Sequence, residues 1–575
     1  MMKAADYIAQ FLSEQGVACV FELSGGMITH LLDSIYCLGK VRIVSMHHEQ
    51  GAAFAADAVG RMTGIPGVAL ATSGPGATNL LTGIGSCYFD SSPAVFITGQ
   101  VNRNEQKGNR AIRQLGFQET DIVSIAKPIT KGAWLVNDPA ELPTRLQEAF
   151  ELALSGRPGP VLLDIPMDVQ RAEIAAPPTL RAEPRQLGDP AEVRAFMQQL
   201  LGALQASQRP LILVGGGIRA AGMGEALREF AVKLGVPVVN SLMAVDVLPF
   251  DSPLRVGMIG SYGNRWANLS IGASDLLIVL GSRLDIRQTG ALTEEFKDRR
   301  ELFHVDAESG EMNNRVTGCY TLQADLRTFF THALDVLDEQ KTVYREWLDE
   351  IRKLRAQHPD TAELRDVPGI NPNIFMHRLS AASQAASAYV VDVGQHQMWA
   401  AQSLDLTIDQ RCLTSGGMGS MGFALPAAIG TALATAPRPV VMIAGDGGFQ
   451  CNIQELQTVV RNKLPLKIVV VNNRTHGMVR QFQESYFEAR YQSTLWGYDT
   501  PDFARVAEAY NITGHTITEM NEIDEGVTWL WHDPAKPALL QVMVDTYVNS
   551  YPKIAFGQPI TCMEPDFQPL DMEGT

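Results

Sequence analysis

The chain is predicted to be α/β: three doubly wound parallel-sheet domains joined by two irregular connectors. Three observations predict it. Apolar runs of strand length alternate with amphipathic helical stretches along nearly the whole chain, the rhythm of parallel strands with crossover helices. Glycine and proline are abundant, at 50 and 31 of 575 residues, as repeated strand–loop–helix units require. Two stretches break the pattern, the proline-rich "APPTLRAEPRQLGDP" and the highly charged residues 338–372 ending "DVPGINP".

The first block, residues 1–175, opens with "MMKAADYIAQFLSEQGVACVF", an amphipathic helix feeding a strand. It lacks the basic start and apolar run of a signal peptide, and no stretch is long enough to span a bilayer, so a cytoplasmic protein is expected. Strands follow at "PGVALATSG", "PAVFITGQV" and "GPVLLDIP", with helices at "EQGAAFAADAVGRMTG" and "PTRLQEAFELALSG". The second block, residues 191–338, carries strands "PLILVGGG", "VPVVN", "DLLIVLGSR" and "LFHVDA". The third, residues 373–550, carries "AYVVDVGQ", "RPVVMIAGDG", "LKIVVVNN" and "ALLQVMVD", and residues 551–575 form a tail. Three blocks of similar size fit a chain too long for one core.

Composition excludes several classes. With 46% hydrophobic and 19% charged residues the chain is globular, and a net charge of −16 argues against a nucleic-acid surface. The seven cysteines are scattered without a Cys-x-x-Cys pair, which offers neither a zinc site nor a disulfide framework and points to a reducing compartment.

The stretch "IAGDGGFQCNIQELQTVVRNKLPLKIVVVNN", residues 443–473, carries the strongest chemical signal. It sets Asp446 at the carboxyl end of one buried strand and Asn473 at the end of the next, where ligands bind in open α/β sheets. Gly447 and Gly448 admit a close backbone approach, and a helix starting near Phe449 points its positive end there. A carboxylate, an amide oxygen and backbone carbonyls make the all-oxygen set that magnesium takes beside a diphosphate. A plain strand–turn–helix crossover with Asp446 as its cap is the other reading. Glu49, in "VSMHHEQGAAFAADAVGR", starts a helix after a short strand and by itself reads as a solvated helix-terminal charge. His47 and His48 beside it receive no role.

These motifs resemble those of thiamine diphosphate-dependent enzymes, and across nearly the whole chain those of the acetolactate synthase large subunit. The resemblance implies a pyrimidine-binding first domain, a central FAD-type domain and a diphosphate-binding third domain. It implies that Asp446, Asn473 and the carbonyl of Thr475 hold Mg2+. Glu49 would activate the cofactor through its aminopyrimidine, so that the thiazolium C2 proton can leave. "LSGG" matches the first glycine loop, with Gly25, and "GFQETD" places Gln118 near the reacting carbons. "VVDVGQHQMWAAQ" brings Gln395 and His396 to the diphosphate, and "TSGGMGSMGFALPAAIG" supplies Gly419 and the apolar wedge Met421. "GMVRQFQ" supplies Gly477 and Met478. In the middle block "VGGGI" (Gly215, Gly216, Gly217), "GMIGSYGN", "GSRLDIRQTG" (Arg283, Asp285, Arg287) and "HVDAE" (Asp306) match where the family binds FAD. The usual Phe-Asp-Asp-Arg is here Leu284-Asp285-Ile286-Arg287, one carboxylate short.

The implied reaction is decarboxylation of pyruvate and transfer of the two-carbon unit to a second carbonyl compound, in a homodimer or homotetramer. At the acceptor the pattern departs from the family. "NRNEQKGNRAIRQLGFQE" is longer than usual and carries Arg103, Lys107, Arg110 and Arg113. Phe482 replaces a usual tryptophan, Ser24 replaces a proline, and Arg474, Thr475 and His476 also differ. The basic segment reads either as a solvated loop or as cations for a nucleotide-linked keto-sugar acceptor. A flavin-dependent pyruvate oxidase, a plain decarboxylase and a non-enzymatic binding role are the further alternatives.

Overall fold

The computed structural model describes residues 1–337 and 344–570; residue 338 of the expected central block, the connector residues up to 343, and tail residues 571–575 lie outside them. Three six-stranded sheets, each wholly parallel in its paired strands, follow one another along the chain. Their central strands are buried along their whole length, which is why they read as unbroken apolar runs.

In the first sheet the spatial order is Arg42–Ser45, Cys19–Leu23, Gly67–Ala71, Ala94–Gln100, Pro160–Pro166, Gly132–Leu135. The second runs Arg255–Met258, Val238–Asn240, Pro210–Val214, Leu276–Leu280, Glu301–Asp306, Tyr320–Gln323. The third runs Arg411–Thr414, Ala388–Val391, Val440–Gly445, Leu466–Asn472, Ala538–Met543, Thr513–Ile517. Each sheet starts inside, winds to one edge, then crosses back over its first strand to wind the other way. The reversal leaves a crevice at the carboxyl ends of two neighbouring strands. Those pairs are Cys19–Leu23 with Gly67–Ala71, Pro210–Val214 with Leu276–Leu280, and Ala388–Val391 with Val440–Gly445.

The chain forms two compact units. Residues 1–185, 415–437 and 452–466 make the first; residues 186–414, 438–451 and 467–575 make the second. In the first unit, helix Ala424–Thr435 packs on helix Glu49–Thr63, and Phe54 meets Phe423 edge-on at 5.4 Å. In the second unit the tail contains a short antiparallel ribbon, in which Lys553–Ile554 pairs with Met563–Glu564. All seven cysteines are free. No helix among the described residues is long and apolar enough to cross a membrane.

Candidate functional site

In the second unit the strand Val440–Gly445 ends on Asp446. The helix that follows spans Asp446–Cys451, so it opens on the aspartate itself rather than near Phe449. Two glycines after the carboxylate let the chain turn directly from strand to helix. A β-carbon at Gly448 would lie 2.6 Å from the Asp392 carboxylate, so only glycine fits there. Asp446 is 3% exposed, and its Oδ1 accepts from the Gly447 N–H at 2.9 Å. The N–H groups of Thr475 and Arg474 also face this carboxylate. Burial outweighs these bonds and pushes its pKa up to about 7. Oδ2 is buried without any hydrogen-bond partner.

Asn473 lies just past the neighbouring strand Leu466–Asn472. Its Nδ2 donates to Gln395 Oε1 at 3.1 Å, and its Oδ1 accepts from the Thr475 N–H at 3.3 Å. These two bonds fix the amide orientation and leave Oδ1 one lone pair beyond the Thr475 bond. Between them Arg474 takes the left-handed conformation (φ 55°), which turns the chain so that buried Thr475 returns to the same rim. Thr475 Oγ1 is tied to the Thr494 carbonyl at 2.8 Å.

Gln395 opens the helix Gln395–Ser403 beyond strand Ala388–Val391, on the other side of the crevice. Its Nε2 donates to Gln481 Oε1 and to the Val548 carbonyl, each at 3.1 Å. The approach is tight: a β-carbon at Gly477 would sit 1.9 Å from Gln395 Oε1. His396 is 4% exposed, and its Nε2 accepts from the Gly445 N–H at 3.1 Å. Burial pushes the imidazole pKa down to about 3, so the ring is neutral and braces the turn into Asp446. Met478, next in the helix Gly477–Tyr486, is partly buried. Buried Arg480 in that helix donates to the Val548 carbonyl at 3.2 Å, tying it to the same segment as Gln395. Sequence reading assigned no role to Asp392, Arg480 or Gln481; the first and last are short polar or amide groups beside glycines or within a quoted motif, and only their burial marks them.

In the first unit Glu49 begins the helix Glu49–Thr63, capped by the His48 side chain, which accepts from the Gln50 N–H. It is not a solvated charge: it is 5% exposed, and its Oε2 accepts from Asn79 Nδ2 at 2.9 Å. Glu455 holds the approach to this helix, accepting from the His47 N–H at 2.9 Å. Asn452 donates to Gln50 Oε1 at 3.1 Å. The turn after strand Gly67–Ala71, "TSGPG", gathers the other residues. Thr72 lies against Gly25, Gly76 lies between Thr72 and Glu49 Oε1, and Gly74 lies against Gln118. Gln118 takes a left-handed backbone (φ 65°) and is partly buried. Glu49, Gly25 and Gln118 thus meet at the first sheet's reversal. Gly419 and Met421 belong to the same unit, and Met421 is 39% exposed. Asn79, Thr72 and Glu455 were missed; for the first two the Gly-Pro-Gly turn shortly after an apolar strand was the available signal.

The segment bearing Gln118 is anchored from below. Buried Asp164 accepts from Thr98 Oγ1 at 2.8 Å and from Gln100 Nε2 at 2.9 Å, and the same Gln100 amide donates to the Thr120 carbonyl at 2.9 Å. Burial pushes the Asp164 carboxyl up to about 7 despite both bonds. Folded Asp164 therefore keeps its proton to about pH 7, whereas the unfolded chain releases it near pH ~3.9. The folded state binds the extra proton in that window, so this group's contribution to stability is lost as pH rises through it. Asp164→Asn is expected to gain melting temperature relative to the parent between pH 5 and pH 7.5. A difference that stays constant with pH would contradict this.

The basic segment is also placed. Arg103 pairs with Asp168 at 2.7 Å, Arg110 donates to the Gln106 carbonyl at 3.1 Å, and Arg113 is exposed. Glu119 folds the segment back, accepting from the N–H groups of Lys107 and Leu115 at 2.6 and 2.8 Å. Phe482 is 40% exposed, and His476 leans on Tyr498 with ring centres 4.2 Å apart.

At the second sheet's reversal the four middle-block motifs converge. Gly217 N–H donates to the Gly281 carbonyl at 3.1 Å, and Ser261 N–H donates to the Arg287 carbonyl at 2.6 Å. His304 Nε2 bonds the Ser282 carbonyl at 2.8 Å. Gly215 packs directly on Gly281 and Ser282, while Gly216 meets only Met243. Asp285 caps helix Ile286–Thr289 and pairs with Arg283 at 2.9 Å; Arg287 is exposed. Asp306 ends its strand and accepts from the Glu308 N–H at 2.9 Å.

Comparison with known proteins matches these three regions separately. Residues 2–125 match the thiamine pyrophosphate enzyme N-terminal TPP binding domain, 197–333 the central domain, and 392–542 the C-terminal TPP binding domain. The chain is 39% identical to the acetolactate synthase isozyme 2 large subunit of Escherichia coli K12 over 559 residues, 97% of this chain and 98% of the relative. It is 34% identical to the acetolactate synthase large subunit of Lactococcus lactis over 552 residues, 96% of this chain and 94% of the relative. It is 35% identical to acetolactate synthase 1, chloroplastic, of Nicotiana tabacum over 570 residues, 96% of this chain and 84% of the relative.

Proposed function

The chain belongs to the thiamine pyrophosphate enzyme family, and from that premise we propose that it decarboxylates pyruvate and transfers the two-carbon unit to a second pyruvate, as an acetolactate synthase. The observation that carries the reading is Asp446 Oδ2, a buried carboxylate oxygen without a partner at a sheet reversal. An oxygen so placed is costly unless a cation meets it. Asp446, the free lone pair of Asn473 Oδ1 and the Thr475 carbonyl are hard oxygen donors, the set that fits Mg2+. Thiamine diphosphate, when bound, supplies the electron sink for losing carbon dioxide from a 2-keto acid.

The side chains divide the remaining work. Asp446, Asn473 and Thr475 would hold the metal, with Gly447, Gly448, Gln395, Gly477 and the His396-braced turn fitting the diphosphate. Glu49 would bond the aminopyrimidine: Asn79 occupies Oε2, which leaves Oε1 beside Gly76 for the cofactor. Gln118, Gly25, Met421 and Met478 would line the reacting end, Gly419 shaping the loop that carries Met421. One cofactor needs both sets, and we take them from two subunits of a homodimer. FAD would sit at the second sheet's reversal, against Gly216, Arg283, Arg287 and Asp306, in a structural role.

One experiment tests substrate and flavin together. Purified protein given pyruvate, Mg2+ and thiamine diphosphate should release acetolactate while a flavin spectrum stays oxidised. Turnover should survive charge removal at Arg110 and Arg113. Dependence on a nucleotide keto-sugar, acetaldehyde as product, or bleaching of the flavin by pyruvate would each overturn the assignment.

A further inference from the structure

At the opposite, amino-terminal end of the second sheet lies a separate cavity of about 350 Å³. The loop Phe250–Leu254, entering the edge strand Arg255–Met258, forms one wall. The other is a single face of helix Arg345–Gln357, presenting Leu348, Ile351, Arg352 and Arg355 at helical spacing. The motifs for cofactor and substrate lie at the carboxyl ends of strands, so this cavity belongs to none of them.

Its charge is unbalanced. The guanidinium carbons of Arg255 and Arg355 stand 5.3 and 4.9 Å from the ring centre of Phe250, and that of Arg355 also stands 5.5 Å from Trp266. Among the described residues neither guanidinium is in an ion pair or a side-chain hydrogen bond. Burial, then the Arg355 charge, pushes Arg255 down to about 10, with Asp405 and Asp360 opposing. Those two aspartates are already bound by His377, at 3.1 and 2.8 Å. Arg352, the third arginine on the wall, is paired with Asp349 at 2.8 Å, and Asp251 at the mouth is exposed. Two like charges share one aromatic ring in a hollow; both side chains are partly exposed, and their forked N–H donors meet no side chain or carbonyl among the described residues. Like charges so placed repel one another, an anion between them would relieve that, and planar guanidinium forks match tetrahedral oxyanions.

We propose that this cavity is an oxyanion site that takes a phosphate group between Arg255 and Arg355, clamping the connector helix to the edge of the central sheet. The phosphate is either free or carried by a small metabolite; the shared chemistry is the dianionic phosphate.

The test uses the full-length protein loaded with thiamine diphosphate, Mg2+ and FAD, so that the other phosphate-holding sites are filled. Inorganic phosphate is titrated against chloride of matched ionic strength, with melting temperature and heat of binding as readouts. The parent should show a saturable, phosphate-specific rise in melting temperature and one binding event. Arg255→Gln and Arg355→Gln should each reduce the phosphate-dependent rise at least fivefold while turning over pyruvate as the parent does in phosphate-free buffer. In phosphate-free buffer Arg255→Gln should melt no lower than the parent, because it relieves the repulsion. Adenosine monophosphate binding more tightly than phosphate would identify a phosphomonoester as the ligand; phosphate binding alone would identify the free ion. A rise no greater than with chloride, or an equal rise in parent and both variants, would overturn the proposal.

Discussion

Glu49→Gln is expected to bind thiamine diphosphate with Mg2+ nearly as the parent does, yet to turn over pyruvate ~10²–10⁴-fold more slowly, the range for losing a positioned acid–base group. The substitution is isosteric, and a glutamine oxygen still accepts from Asn79, so the helix start at Glu49–Thr63 and its packing should persist. What would be lost is the role proposed for Oε1, holding or releasing a proton at the cofactor's aminopyrimidine. Stopped-flow carbon dioxide release, paired with calorimetric cofactor titration, separates the two effects. Equal losses in affinity and in turnover would mean that Glu49 merely shapes the pocket.

Asp446→Asn should have the opposite signature. The amide keeps size and one acceptor but removes the charge that a divalent cation needs. Even supporting partners of metal ligands cost 10–100-fold in affinity when altered, so loss of a direct ligand should cost at least ~100-fold in Mg2+-dependent cofactor binding. The protein without cofactor should melt no lower than the parent, since burial already disfavours the charged carboxylate. Mixing the two inactive variants tests the proposed dimer. A hybrid of one Glu49→Gln and one Asp446→Asn subunit keeps one intact set if the halves of a site come from different subunits, so turnover should return. A hybrid that stays inactive would contradict the shared-site arrangement.

The central strands were legible because burial on both faces leaves only apolar residues, as in "PAVFITGQV" and "LKIVVVNN". The edge strands Gly132–Leu135, Arg255–Met258, Tyr320–Gln323, Arg411–Thr414 and Thr513–Ile517 were not among the expected elements. They are partly exposed, all but Gly132–Leu135 carry polar residues, and the continuous buried pattern is lost: Tyr320–Gln323 has a single buried residue. Without the edges the winding order could not be drawn, and so neither could the three reversals. The chemistry at Asp446 and Asn473 was readable because strand tips are sequence-local features. The environment of Glu49 was not: its burial depends on Asn79 and Gly76, brought in by another strand's turn. His396 shows the same limit. Its motif suggested a group near the diphosphate, and only the fold reveals that Nε2 is committed to the Gly445 N–H.

In the proposed reaction one side chain, Glu49, activates a coenzyme that Asp446 anchors through a metal. Its most direct measurement is the rate at which the bound cofactor exchanges its thiazolium C2 proton for deuterium, followed by quenched-flow NMR in the absence of pyruvate. Fast exchange is expected in the parent, and exchange slowed by ~10²-fold or more in Glu49→Gln at full cofactor occupancy. Parent-like exchange in a fully occupied Glu49→Gln protein would contradict it.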